Sequence, residues 1–285
     1  MTLDSWYAAG TTLTVRGLPV FVRREGSGDV LVCVHGFPTS SWDFEPMWSS
    51  LTARFDVVAS DLIGLGRSAK PDRPLPVSLQ ASVIEELVAS LGITEAHLLA
   101  HDLGDTVAQE LLARQLDGDA FVRWRSCVWL NGGLFPEMHR PRPIQRLLAS
   151  PLGKAVARLS SERTFRKNMT RVCSDVHPPS EEFLQGSWDL LNEDGGRRML
   201  PRLIRYMGER REQRARWVGA LQANAVPQRL INGARDPVSG RHAADRYREL
   251  VPNADVVMLD EAAHYPHVEQ PERVLKAFYE FHDAL

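Results

Sequence analysis

LLAHDLGDTVAQELLARQ, residues 98–115, decides how this chain is read. An apolar run gives way to a polar knot and then to helically spaced apolar residues, which predicts a buried strand turning sharply into a helix. Ala100 stands two residues before Asp102 and Gly104 two after. Such small flanks are needed where a strand-to-helix turn is so tight that bulk would meet neighbouring backbone, and the turn projects its central side chain. Here that side chain is a carboxylate. At a helix N-terminus the dipole favours an anion and lowers its pKa. An isolated Asp before a helix is more often an N-cap than a nucleophile, so the rest of the sequence must choose.

Strand and helix signals alternate on either side. Residues 11–26 read as a hairpin, 30–34 as a strand buried on both faces, 45–54 as a helix and 55–61 as the next strand. A helical stripe over 77–92 ends at Gly92, and strands follow at 96–101 and 126–131 around a helix at 103–116. From 134 to 222 the texture changes to helical segments rich in arginine, broken at Pro141, Pro143, Pro151, Pro178 and Pro179. Alternation returns with a strand in 226–237, a helix at 242–250, a strand in 254–262 and a final helix from Pro271. The pattern predicts an α/β fold, a mostly parallel central sheet with helices on both faces. Residues 1–133 and 223–285 form its core, and residues 134–222 are an inserted helical cap.

The other chemical pieces fall where such a fold needs them. HGFP, residues 35–38, follows the first buried strand, so the Phe37 N–H and the Leu103 N–H form a candidate two-donor oxyanion hole. His264 follows the last strand by a short loop and is the candidate base, whereas His267 reads as a packing residue. Asp236 follows the preceding strand and is the candidate orienting acid. Asn131 ends the strand before the cap, but a neutral amide cannot serve as the acid. The order Asp102, Asp236, His264 is nucleophile, acid, base. DLIGLGRS, residues 61–68, lacks the lysine of a phosphate loop and reads as a structural turn. His35, His101 and Trp188 are candidate pocket residues. The arginines between Arg197 and Arg216 read as a solvated helical face.

With these pieces assembled, nearly the whole chain resembles the α/β-hydrolase superfamily, in the branch of epoxide hydrolases and haloalkane dehalogenases. HGFPTSSWDF, HDLGDTVAQELL, NGGLFPEMHRP and residues 210–221 are most similar to the mesoderm-specific transcript protein-like hydrolases. The resemblance implies attack by Asp102 on sp³ carbon to give an alkyl-enzyme ester, hydrolysed by water that His264 activates. A carboxylate suits that reaction because it is ionised at neutral pH. Tyr206 resembles the cap tyrosine that protonates an opening epoxide, and it is the only tyrosine between 134 and 222. Dehalogenases of the branch usually carry tryptophan where Leu103 stands, and many carry asparagine where Phe37 stands. The expectation is an epoxide hydrolase. The alternatives are haloalkane dehalogenation or cleavage of a strained ring such as a β-lactone by the same residues. A non-catalytic binding protein on the same fold is the alternative of another class.

Bulk properties narrow the partners. A net charge of −2 gives no reason to expect nucleic acid or an acidic membrane. Cys33, Cys127 and Cys173 are too far apart for redox or zinc motifs. Neither a basic, apolar leader nor an apolar run of spanning length is present in the sequence. The expectation is a cytoplasmic enzyme acting on a small molecule without cofactor or metal, its oligomeric state open.

Overall fold

The computed structural model describes residues 1–285. Eight strands make one sheet: β1 (Thr11–Val15), β2 (Leu18–Gly26), β3 (Val30–Val34), β4 (Asp56–Ser60), β5 (Glu95–His101), β6 (Arg123–Leu130), β7 (Gln228–Gly233) and β8 (Asp255–Leu259). Their order is β1-β2-β4-β3-β5-β6-β7-β8. The hairpin β1–β2 and its junction with β4 are antiparallel, and every other pairing is parallel. The hairpin closes through Arg16 and Gly17, both at positive φ, the geometry a two-residue turn requires. Central strands are apolar along their length because both faces are covered. Leu31, Val34, Leu98, Leu99, Val128 and Leu130 are fully buried.

Two groups of helices cover the sheet. Glu45–Thr52 packs with Pro271–His282, and Val77–Ser90 packs with Leu103–Asp117. Between β6 and β7 every regular element is a helix. The last of these helices, Arg214–Ala223, packs along Leu103–Asp117. Trp217 is buried there, and its indole N–H donates to Glu110 at 2.8 Å. The end of the insertion is thus joined to the core layer.

Parallel register brings the loops together. Val34 pairs with Ala100, His101 with Leu130, Leu130 with Ile231 and Gly233 with Leu259. The strands end in step, so the loops holding Phe37, Asp102, Asn131, Asp236 and His264 converge at the carboxyl edge of the sheet, where open α/β sheets bind ligands. The glycine loop after β4 is a structural turn. Asp61 accepts from the Ser41 and Arg67 amides, each at 2.8 Å, and from the Tyr7 hydroxyl at 2.9 Å. A Cβ on Gly66 would come within 2.0 Å of that carboxylate.

Candidate active site

Asp102 occupies the turn between β5 and the helix Leu103–Asp117 at φ 48 and ψ −104, a conformation that costs a non-glycine residue energy. Its neighbours are small because backbone is close. A Cβ on Gly104 would lie 2.1 Å from the Val34 carbonyl oxygen, and Gly36 packs directly on the Asp102 Cβ. The Asp102 side chain caps no amide of its own helix. It accepts instead from the Phe37 N–H at 3.1 Å, across the loop after β3. Leu103 opens the helix, so its amide is one of the free donors of the first turn. The simple N-cap reading therefore fails on geometry.

His264 Nδ1 donates to Asp236 Oδ2 at 2.8 Å, which fixes the tautomer and leaves Nε2 as the nitrogen free for chemistry. Asp236 is held from several directions. It accepts from Asn131 Nδ2 at 3.0 Å, from the Ser239 hydroxyl at 2.7 Å and from the Val238 amide at 2.7 Å. Asn131 cannot be the acid, yet it orients the acid, and its Oδ1 also accepts from the Gly233 amide. Glu269 accepts from the amides of Ala263, Tyr265 and Ser174 at 2.8 to 3.0 Å, pinning the loop that carries His264.

Charge follows from this packing. Burial pushes the Asp102 carboxyl up, but His264 and then Arg210 outweigh it, and the group stays below its ordinary value. Burial pushes His264 down, but Asp236 and Asp102 overcome it and raise the imidazole to about 9. Asp236 falls to about 2: burial opposes this, and the charge and hydrogen bond of His264 prevail. Asp105, one turn into the helix, is pushed well above the carboxylate range by burial and by the Asp102 charge. Neither of its oxygens has a hydrogen-bond partner.

Arg210 is the residue that sequence reasoning misjudged. It is buried, not part of a solvated face. Its Nη2 donates to the Asp102 carbonyl at 2.9 Å and lies 3.7 Å from Asp102 Oδ1, while Nε donates to the Thr106 hydroxyl at 2.7 Å. The signal was its position at the head of the shared stretch 210–221. Tyr206 is buried beneath it, with the guanidinium 4.5 Å above the ring and the Phe37 ring 6.1 Å away. The Tyr206 hydroxyl has no protein partner. Gly133 leaves room beside Arg210 Nη1 and His139 Nδ1, since a Cβ there would lie 2.1 and 3.2 Å from them. Both His139 nitrogens are buried and unpartnered.

The other candidates have different surroundings. His35 accepts from the Leu62 amide at 2.9 Å and bonds the Gly36 carbonyl, tying two loops together. His101 bonds the His264 carbonyl at 2.7 Å and braces that loop. Trp188 packs on Phe165 and outside the cavity wall. None of the three lines the cavity. His267 is stacked on Phe44, as a packing residue is. With Asp43 and His101 it brings one metal-ligand type of atom each to within 4.8 Å, behind the His264 loop.

A cavity of about 100 Å³ opens beside the site, reaching Phe37 and His264 but not Asp102, Tyr206 or Arg210. Phe37, His264 and Tyr265 line it from the core, and Leu148, Val156, Phe165, Met169 and Leu200 from the insertion. The walls are mostly hydrophobic, so the site suits a lipophilic molecule with one reactive polar centre.

Residues 31–277 match the alpha/beta hydrolase family. The chain is 37% identical over 293 residues to the mesoderm-specific transcript protein of Mus musculus, covering 98% of this chain and 87% of that one. It is 39% identical over 276 residues to LipZ of Mycobacterium tuberculosis, covering 95% of each. Among solved structures it is similar to the epoxide hydrolase CorEH, with a TM-score of 0.79 and 20% identity over 95% of this chain and 97% of that one. It is also similar to a loop variant of haloalkane dehalogenase DbeA from Bradyrhizobium elkanii, with a TM-score of 0.81 and 20% identity over 96% and 98%. At such identity these two structures speak for the fold alone. The sequence relationships carry more weight, and with them the chain belongs to the alpha/beta hydrolase family.

Proposed function

We propose that this hydrolase opens an epoxide through a covalent ester on Asp102. One observation carries the reading: the elbow holds a carboxylate kept anionic, in one site with a histidine whose tautomer a second carboxylate fixes. A hydroxyl nucleophile would need a base for its own attack, whereas an ionised carboxylate attacks sp³ carbon directly. An Asp102 oxygen bonds to an epoxide carbon, the ring C–O bond breaks, and the departing oxygen takes the Tyr206 proton. Arg210, over the phenol ring, stabilises the tyrosinate until solvent reprotonates it. Arg210 Nη1 and His139 offer a second hydrogen bond to the departing oxygen, the role for which the sequence holds no second tyrosine.

His264 then takes a proton from water, and the resulting hydroxide attacks the ester carbonyl carbon. The oxyanion forms on Asp102 itself, against the Phe37 and Leu103 amides. Its collapse releases the diol and restores the carboxylate, so the net reaction is epoxide plus water to diol. Alkylation also removes the Asp102 charge that helps hold His264 protonated, and so the imidazole becomes a base when a base is needed.

Among the structures resembling this chain are an epoxide hydrolase and a haloalkane dehalogenase, the two chemistries such an array can run. The epoxide reading is preferred because Tyr206 offers a proton, and a halide needs none. The usual halide donor after the nucleophile is replaced by Leu103. A binding protein would need neither the positive φ at Asp102 nor an oriented imidazole. The test is a panel of lipophilic epoxides and matched haloalkanes with purified protein. Diol formation without halide release is expected. Halide release alone would transfer the reading to dehalogenation, and no turnover of either would remove it.

A further inference from the structure

The outer side of the insertion carries a second feature, unrelated to the Asp102 chemistry. Helices Pro143–Leu148 and Gly153–Leu159, with residues 195–205 and the loop at 72–74, enclose an open groove of about 820 Å³. Seven basic side chains line it, among them Arg73, Lys154, Arg158 and Arg205, against one acidic residue, Asp72. Arg202 pairs with Asp72, and no other basic residue of the groove has a carboxylate partner. Arg197 and Arg198 donate to the main-chain carbonyls of Ser160 and Lys70, which fixes their positions without neutralising them. Elsewhere on the insertion Arg166 pairs with Glu162 and Glu181, Arg214 with Glu137, and Arg216 with Glu110 and Asp117, while others such as Arg163, Arg171 and Arg211 have no carboxylate partner but lie outside the groove. The net charge of −2 hides this local concentration of positive charge.

Exposed leucines accompany the charge. Leu147, Leu152 and Leu159 are 47%, 65% and 82% exposed, and each is the chain neighbour of a groove residue. The same two helices line the apolar cavity from inside, through Ile144, Leu148 and Val156, and Leu148 borders both cavity and groove. We propose that this face docks on an anionic lipid surface. Basic residues meet the headgroups, the leucines enter the acyl boundary, and the cavity behind the two helices faces the bilayer. A soluble polyanion would satisfy the cations but would leave the leucines in water. No helix of the protein is long and apolar enough to cross a membrane, so the contact is made at the surface. That the bilayer also supplies a lipophilic substrate rests on the reading of the cavity above. The docking itself does not.

Cosedimentation with phosphatidylglycerol–phosphatidylcholine vesicles, compared with pure phosphatidylcholine vesicles, separates the two claims, since it needs no turnover. The wild type should bind the anionic vesicles and be released by high salt. Losing one basic contact lowers partitioning roughly fivefold, so Lys154→Glu/Arg158→Glu/Arg205→Glu should lose more than about 100-fold. Leu152→Ser/Leu159→Ser should lose about tenfold or more without changing the charge. All these positions are exposed, so both variants should keep the wild-type melting temperature. Three results would overturn the proposal: wild type remaining in the supernatant with anionic vesicles, equal binding by the charge-reversed variant, or retention on heparin without vesicle binding.

Discussion

On the sheet side of Asp102, the groups that orient His264 are partnered, although the Asp105 oxygens, His101 Nδ1 and both His267 nitrogens are not. Asp236 accepts from His264, Asn131, Ser239 and Val238, and Glu269 takes three amides of the His264 loop. On the insertion side, Tyr206 Oη, Arg210 Nη1 and both His139 nitrogens are buried without a protein partner. Buried donors without a protein partner are free to hydrogen-bond a substrate oxygen, and a buried donor that finds no partner costs roughly 1–3 kcal/mol. Under the proposed mechanism the two sides do different work. The sheet side would hold the base that hydrolyses the ester, already oriented by its partners. The insertion side would meet the substrate oxygen, and its donors would gain partners as that oxygen becomes charged, which is where binding accelerates a reaction.

The contrast breaks most sharply at His264. His264→Gln should leave ester formation intact and slow turnover on the order of 10²–10⁴-fold, so a substrate-sized mass should accumulate on the Asp102 peptide. An unmodified peptide, with the wild type active, would move the base elsewhere. Tyr206→Phe comes next. It should slow epoxide opening within about the same 10²–10⁴-fold range, yet leave decay of a preformed ester nearly unchanged and a haloalkane indifferent. Equal epoxide rates in variant and wild type would remove the main support for the epoxide reading.

A pH series sharpens the same division. His264 must be neutral to act as a base, and in the free protein it is raised to about 9. Esterification removes one of the negative charges that raise it. Ester decay should therefore climb with pH through an apparent pKa below 9, while ester formation, which needs ionised Asp102 and a protonated Tyr206 whose pKa burial raises, stays flat over neutral pH. Single-turnover quench measurements read both phases, and a flat decay from pH 6 to 9 would contradict the role of His264. The smallest effect is expected at Asn131. Asn131→Ala removes one of the donors to Asp236, a loss of about 1 kcal/mol of orientation and thus roughly fivefold to tenfold in ester decay, with opening unaffected.

The sheet side was legible in the sequence and the insertion side was not, for a physical reason. Asp102, Asp236 and His264 follow strands whose apolar runs are read directly, and parallel register fixes where their loops meet. Asn131 was noticed at its strand end but dismissed, because chain order says which residue type can be an acid and not which side chain orients it. Glu269 lies five residues past His264 and acts through backbone amides, which leave no pattern in sequence. In the insertion no strand register constrains position. One arginine among many, Arg210, turns inward, and helical spacing rich in charge does not say which. Trp188 failed as a pocket residue for the same reason. The groove was invisible because its basic residues come from segments 80 to 130 positions apart as well as from neighbouring turns.

The central claim is the bond between substrate carbon and an Asp102 oxygen, and labelled water reads it most directly. Excess protein is carried through single turnovers of an epoxide in heavy-oxygen water, and the diol and the Asp102 peptide are weighed by mass spectrometry. In the first turnover the new diol oxygen comes from Asp102, because water attacks the ester carbonyl and leaves its own oxygen on the carboxylate. The account predicts unlabelled diol at first, heavy oxygen in Asp102, and label entering the diol only in later cycles. Label in the diol from the first turnover, with an unlabelled Asp102 peptide, would mean that water attacks the epoxide directly and that no ester forms.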